Sequence, residues 1–591
     1  MIRLRSDFAV LLITSALWLG GCGGAGSSSG SSTPPAASAT AIILAASPNP
    51  AAEGATVALT ATISSGGGIP TGSITFLDGS TILGTATIAT GGTATYALTS
   101  FAAGTSHTLT ASYAGTSSFA ASTSSPVVLT IASAPPPSSI NAHASFTFNT
   151  PNQVISGFGA AEAFYLNYLD QHPNKSAIYK ALFDPSTGLG LTYLRIQNLY
   201  RGSSASGFDV DTPLVVNAAN AAHGTPLTLL MSSWSPPASL KSNSSTSGCI
   251  SSGGVCTGTP GTLALANGSY DYAGFANYWL NSLSAYAAQG VVPAYISIQN
   301  EPDFTATYDG CRFNPTEATY NGTNYASYAS AFDAVYQKLQ TISAPPKMVG
   351  PETLSSSTSF LNIAAQIKPS QISAYAHHLY NVSYNSSNPD ANIAPLTTLN
   401  QAYPTAAKFE TEYYAAPGFN TAWNIHNALT YANDNAYIYW QATWPSTLSN
   451  GQAVDQQGLI YVDSPFSLSS WAFTSGWSYN DAYYALKHFS YYVRPGYVRY
   501  NAAVDNTDER VSVYRSADAK TTVIVALNVS STATDGLLLS LSNIGYASSV
   551  VYRSSFSSPI ATGERWANLG SYNSSGIVLP PLSVVTIVLT N

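Results

Sequence analysis

The stretch AYISIQNEPDF, Ala294–Phe304, sets a glutamate at the end of an apolar, β-rich run. Only 8% of this chain is Asp, Glu, Lys or Arg, so a carboxylate in such a place is a rare event. A second one, Glu412, stands in KFETEYY, residues 408–414. Working outward from these two runs, further strand-like segments recur with helical stretches between them. They are VISGFGAAEA (154–163), LTYLRIQNLY (191–200), LTLLMSSWSP (227–236), KMVGPETLS (347–355), ISAYAHHLY (372–380) and AYIYWQATW (436–444). Eight strands alternating with helices predict a (β/α)8 TIM barrel that closes near Thr443, with the strand C-termini forming the active face. Glu301 ends the fourth strand and Glu412 lies near the end of the seventh.

The rest of the chain divides around that barrel. MIRLR (1–5), the apolar FAVLLITSALWL (8–19) and LGGC (19–22) form an export signal too short to span a bilayer. LGGC resembles the bacterial lipoprotein lipobox, which implies lipidation of Cys22; the alternative is an ordinary signal peptide with a chance cysteine. Residues 23–40 are a Gly/Ser-rich tether. Residues 41–132 carry short Thr/Val/Ala strands separated by Gly turns, the pattern of a β-sandwich. PTGSITFLDGSTILGTATI (70–88) and HTLTASYAGTSSFAASTSSP (107–126) resemble bacterial Ig-like repeats, which implies a spacer. Residues 133–141 form a Pro-rich linker, and 142–152 a strand expected to join the C-terminal domain. The barrel is expected over 153–480. Over 481–591, alternating runs such as RVSVYRS and TTVIVALNVS predict a β-sandwich side domain.

Composition excludes some partners. Net charge is −8 and the pI about 5.4, with no basic run beyond the first residues, so a nucleic-acid partner is not expected. Aromatic residues reach 12%, with 38 Tyr and 9 Trp, a composition that suits sugar faces as well as cores. Without Cys22, three cysteines remain for an oxidising compartment. Cys249 and Cys256 bracket a Gly/Ser loop that a disulfide could close, and Cys311 could pair with either. No histidine lies at ligand spacing near them, so no metal site is expected there.

Two carboxylates at the active ends of a barrel suit glycoside hydrolysis, in which one group protonates the leaving oxygen and the other attacks or activates water. SIQNEP (297–302) and FETEYY (409–414) resemble the acid/base and nucleophile motifs of glycoside hydrolase family 30. QVISGFGAAEAFY, LRIQN, SSWSPPASLKSN, AHHLY, IYWQA and HFSYYVRPGYVR follow in that family's order. The resemblance spans Ala142 to Asn591 and implies a barrel joined to a β-sandwich, a retaining mechanism and no cofactor. It assigns Glu301 as acid/base and Glu412 as nucleophile. Asn300 would bind the sugar 2-hydroxyl and Arg195 would hold the nucleophile ionised. Trp234 and Trp440 would stack on sugars, and His378 and Tyr380 would line the cleaved subsite. Packing within the barrel is the competing account of these four aromatic residues.

Glu410 shares a strand face with Glu412, so position alone does not separate them; the family motif, with the nucleophile directly after Thr, favours Glu412. A buried Glu410 would need a partner such as Lys or Arg. Glu162 and Glu352 also end strands and read as supporting residues. The nearest branches of the family cleave xylan, and some read a glucuronate branch with an Arg. No Lys or Arg stands between Trp440 and Lys487, nor in YYAAPGFNTAWNIHNALTY (413–431), which argues against dependence on glucuronate. The expectation is an exported, monomeric endo-β-1,4-xylanase, touching the membrane only through its lipid. Other branches would make it a β-1,6-glucanase, a β-1,6-galactanase or a glucosylceramidase-like enzyme. A non-catalytic glycan-binding lipoprotein is the reading of a different class.

Overall fold

The computed structural model describes residues 37–591 except 52–55, 99–104, 132–136, 203–208, 321–322, 357–366, 416–417, 447, 450–451, 454–456, 542–543 and 561. The export signal, Cys22, nearly all of the tether and part of the Pro-rich linker lie outside the described residues. The chain falls into two compact units, a small N-terminal β unit and a large one that runs to Asn591.

The N-terminal unit pairs a three-stranded sheet, Thr40–Ser47, Val57–Ser65 and Thr93–Leu98, with a five-stranded sheet built around Ser73–Asp78 and Ser106–Tyr113. Alternation along Val57–Ser65 and Ser73–Asp78 buries one face of each of these strands. Ile63, Ile74, Phe76 and Leu109 fill the interior, while Thr and Ser face out.

In the large unit, eight parallel strands close into a barrel in chain order. They are Gly157–Glu162, Tyr193–Gln197, Thr228–Ser232, Tyr295–Ser297, Lys347–Thr353, Ala374–His378, Lys408–Glu412 and Ala436–Tyr439. Each falls within one of the eight segments read from the sequence. Helices cover the outside and side chains fill the inside, so the strands are buried on both faces, which is why they read as nearly continuous apolar runs. Tyr193, Leu230, Val349, Phe409 and Ile438 plug the interior. The first strand must lie close to the second: Gly159 pairs with Tyr193, and an added Cβ there would stand 2.4 Å from the Tyr193 Cβ. Only glycine permits that approach.

The C-terminal domain is one nine-stranded sheet rather than two separate ones. Its order is Ala567–Gly570, Ser548–Ser555, Ser583–Thr590, Thr521–Asn528, Glu509–Arg515, Val498–Val504, Ala142–Val154, Asp535–Ser540 and Ile577–Leu579. Val551 and Leu569 near one end of the sheet share a core with Leu537 and Leu579 at the other, so the sheet folds over on itself. The strand Ala142–Val154 lies inside this sheet, antiparallel to Val498–Val504. Cys249 and Cys256 form a disulfide with Cα atoms 5.7 Å apart, and Cys311 is a buried free thiol.

Candidate active site

Arg195, third residue of the second barrel strand, is fully buried and organises the mouth of the barrel. Its Nη1 donates to Glu412 Oε2 at 2.7 Å and its Nη2 to Asn300 Oδ1 at 2.6 Å. Its Nε faces both Ser232 Oγ and Glu352 Oε1 at 3.1 Å. One guanidinium therefore ties together strands two, three, five and seven and the segment after strand four. A buried cation needs this set of acceptors to offset the loss of water. Glu352, read from the sequence as a supporting residue, is a direct partner of Arg195, and its carboxyl is held below the usual range. Burial opposes that shift, and the charges of Arg195 and His378 outweigh it.

Glu301 differs from its sequence reading in one respect. The fourth strand stops at Ser297, and Glu301 lies in the segment beyond it with φ 46°. The chain there leaves the regular ladder but keeps bonds to both flanking strands: Asn300 N donates to Ser233 O at 2.7 Å and Glu301 N to Glu352 O at 2.9 Å. A left-handed backbone at a non-glycine residue is held only where its surroundings over-determine it. Glu352, at the end of the fifth strand, has φ 53° as well.

The two glutamates sit in unlike electrostatic settings. Burial, reinforced by Asp303, pushes the Glu301 carboxyl up to about 8, against the pull of Arg195. Among the described residues no guanidinium bonds it; its neighbours are His378 Nδ1 at 3.1 Å and the Tyr308 hydroxyl. Burial also raises Glu412, but His378 and Arg195 oppose it, and the carboxylate accepts from Arg195 and from the Tyr380 hydroxyl at 3.0 Å. His378 lies between the two. Burial pushes its imidazole down to about 4, against the opposing charge of Glu412. An oxygen of each glutamate and a ring nitrogen of His378 all lie within 4.8 Å of one another. These donor types could hold a metal, but Arg195 already neutralises Glu412 and Glu301 is set to keep its proton.

Glu410 lies one layer deeper and has no Lys or Arg bonded to it among the described residues, contrary to the partner expected from its burial. Its Oε2 accepts from Ile438 N at 3.3 Å, and burial together with Asp434 raises its carboxyl well above the usual range. It solves the burial problem by keeping a proton. Glu162 does the same: burial raises it to about 8 while Thr443 donates to it through its amide and its hydroxyl.

Trp234 and Trp440 pack on each other with ring centroids 5.8 Å apart and are nearly buried. The Arg195 guanidinium stacks 4.6 Å over Trp234, so that ring face is occupied by the protein. Trp440 Nε1 donates to Gln457 Oε1 at 3.0 Å. Phe164, packed edge-on against both tryptophans at 5.8 and 5.9 Å, reaches solvent, as do Tyr308 and Tyr380. Phe164 and Tyr308 escape a reading by strand position because neither lies in a strand. Only the spacing of Phe164 two residues beyond Glu162 hinted at its direction.

Residues 44–132 match the bacterial Ig-like domain (group 3) family. The larger unit is similar to the catalytic domain of the family 30 glycoside hydrolase xylanase C from Talaromyces cellulolyticus, with TM-score 0.56 and 19% identity over 76% of this chain and 100% of that one. It is similar to a family 30, subfamily 8 xylanase from Clostridium acetobutylicum, with TM-score 0.54 and 21% identity over the same shares, 76% and 100%. It is also similar to an endo-β1,6-glucanase, with TM-score 0.55 and 15% identity over 76% of this chain and 94% of that one. At these identities the likeness establishes the fold of the larger unit, an eight-stranded parallel barrel with a C-terminal β-sheet domain, and the family match gives the Ig-like domain before it.

Proposed function

We propose that this protein is a retaining glycoside hydrolase of the family 30 kind that cleaves β-1,4-xylan within the chain. The observation that carries the reading is the pair Glu301 and Glu412, close together around His378, one bonded to a guanidinium and the other not. Inverting enzymes hold their carboxyls about 6.5–9.5 Å apart to admit a water, whereas retaining enzymes hold them about 5–5.5 Å apart. Oxygens within 4.8 Å of each other favour the second geometry.

In this mechanism Glu412 attacks the anomeric carbon while Glu301 gives its proton to the departing glycosidic oxygen. A glycosyl ester forms on Glu412 and the C–O bond to the leaving sugar breaks. Glu301, now ionised, takes a proton from water, which opens the ester and restores both groups. Arg195 keeps Glu412 available as an anion, and Asn300, held by Arg195, presents its amide to the sugar 2-hydroxyl. None of these steps calls for a cofactor.

Xylan is favoured by the three xylanases among the similar structures and by the segments SSWSPPASLKSN and HFSYYVRPGYVR. The likeness to an endo-β1,6-glucanase supports β-1,6-glucan as a second reading. The test is to separate the oligosaccharides released from glucuronoxylan, unsubstituted xylan, arabinoxylan, β-1,6-glucan and β-1,6-galactan. Short products from unsubstituted xylan are expected. Products from β-1,6-glucan or galactan alone would move the substrate to another branch, and silence on every glycan would favour a binding protein. We further infer that the chain is exported, tethered through a lipid on Cys22 and monomeric, with the Ig-like domain as spacer. Among the described residues no helix is long and apolar enough to cross a membrane.

A further inference from the structure

Beyond the ends of the third and fourth barrel strands, two excursions of the chain wall a cavity of about 620 Å³. The first follows Thr228–Ser232; it carries Trp234 near its start and, further on, a hairpin that pairs Leu265–Ala266 with Ser269–Tyr270. The second follows Tyr295–Ser297; it carries Glu301 near its start, then Glu317 and the strand Thr323–Tyr325. Both leave the barrel at strand C-termini, so the cavity lies on the same face as the catalytic pair. Neither Glu301, His378 nor Glu412 lines it, so it is separate from the place of cleavage.

Hydrogen bonds fix these walls. Within the first excursion, Ser242 N donates to Thr262 O at 2.9 Å and Thr262 N to Ser242 Oγ at 3.1 Å. Two bonds tie the excursions together: Ala326 N donates to Thr262 Oγ1 at 3.0 Å, and Arg312 N to Gly261 O at 2.8 Å. The Tyr272 hydroxyl donates to Glu317 Oε1 at 2.8 Å and accepts from Ser327 N at 2.7 Å. A site assembled before its ligand arrives loses less entropy on binding.

The lining selects a class of ligand. Tyr270, Tyr325 and Leu265 supply aromatic and apolar surface, while Thr259, Ser269 and Glu317 supply hydroxyls and a carboxylate. Among the described residues, no Lys, Arg or His lines the cavity, so nothing there would neutralise an anion. Glu317 is exposed, and among the described residues its second oxygen takes no hydrogen bond, which leaves a strong acceptor for hydroxyl donors. Aromatic surface beside such acceptors matches a neutral pyranose, which has apolar C–H faces and a rim of hydroxyls. The volume is that of an ordinary small-ligand site. We propose that this cavity is an accessory glycan site, which holds a neutral stretch of the polysaccharide away from the bond being cut. It rests on the reading of a polysaccharide substrate given above. A chain held at two places is retained longer than one held at a single place, so the site acts on KM for the polymer and not on the chemical step.

The test uses the full chain carrying Glu412→Gln, which binds without turnover, run through native gels that contain unsubstituted xylan or β-1,6-glucan. Retardation by xylan is expected. Adding Tyr270→Ala should weaken the affinity about 10-fold, and adding Glu317→Gln about 3-fold. Glu317→Gln keeps the shape of the wall and carries the test if Tyr270→Ala fails to fold. With Glu412 restored, Tyr270→Ala should raise KM on xylan about 5-fold and leave kcat and the turnover of a short aryl xyloside unchanged. Equal losses on both substrates would put the effect at the place of cleavage and overturn the proposal. Retardation unchanged in both variants, or absent from both gels in Glu412→Gln, would overturn it as well. If the parent cleaves no glycan while Tyr270→Ala still loses retardation, the accessory site stands and the catalytic reading falls.

Discussion

Glu412 and Glu410 stand two residues apart on one strand and face the same side, yet they meet opposite conditions. At the mouth of the barrel, Glu412 accepts from Arg195 and from the Tyr380 hydroxyl. One layer down, Glu410 meets a backbone amide and the charge of Asp434. The first can ionise because a cation compensates it, and the second keeps its proton because nothing does. Chemistry is thus concentrated in one layer by the reach of a single guanidinium. Depth in the barrel, more than residue type, decides what a glutamate can do.

Four changes would break or sharpen that contrast. Glu412→Gln should have the largest effect, lowering kcat on the cleaved glycan by about 10^4-fold or more while leaving Tm and glycan binding intact. Full activity in that variant, with loss in Glu410→Gln, would reverse the nucleophile assignment.

Glu301→Gln should cost about 10^2- to 10^4-fold on natural glycans, and much less on aryl glycosides whose leaving group needs no proton. The same group sets a pH limit. The proton donor is lost as pH rises through its folded pKa, so kcat/KM should fall above about pH 8. The acid limb should lie above 4.5, the ordinary value from which Glu412 is raised, because falling pH protonates the nucleophile. A profile measured on parent and Glu301→Gln checks both limbs: the basic one should vanish in the variant and the acid one should remain.

Arg195→Lys keeps a charge but cannot bond Glu412, Asn300 and Glu352 at once. A loss of about 10- to 100-fold in kcat/KM is expected, together with an upward shift of the acid limb. An unchanged limb would show that Arg195 does not control the ionisation of Glu412.

Glu410→Gln should be the mildest, with activity within about 3-fold of the parent. Its effect should appear in stability against pH. Glu410 holds its proton when folded and loses it when unfolded above about 4.5, so folding of the parent weakens as pH rises through that region. Glutamine has no such dependence, and the Tm of the variant should gain on the parent as pH is raised. A gap that does not change with pH would mean that Glu410 is ionised in the fold.

Much of this was legible in the sequence, for local reasons. Parallel barrel strands are buried on both faces, so each announces itself as an apolar run, and all eight were readable in order. A chain with so few charges also makes its carboxylates conspicuous, which brought Glu301 and Glu412 forward together. What escaped was whatever depends on side chains meeting from distant segments. Phe164 and Tyr308 lie outside the strands, so no periodicity marks them. Glu352 looked like one more glutamate at a strand end until its contact with Arg195 was visible. The C-terminal runs predicted a sandwich, and the structure builds it from one sheet folded over; which strands pair was not legible, because alternation reports which face is buried and not which strand is the neighbour.

The sequence by itself determined the order of elements and the residues at the mouth of the barrel, since hydrophobic patterning and strand length are properties of short windows. The tertiary structure alone decided which carboxyl meets a cation and which stays protonated. Arg195 and Glu412 are 217 residues apart in the chain. Protonation depends on the charges and solvent within a few ångströms of a group, and that neighbourhood exists only once the barrel and the sheet have closed.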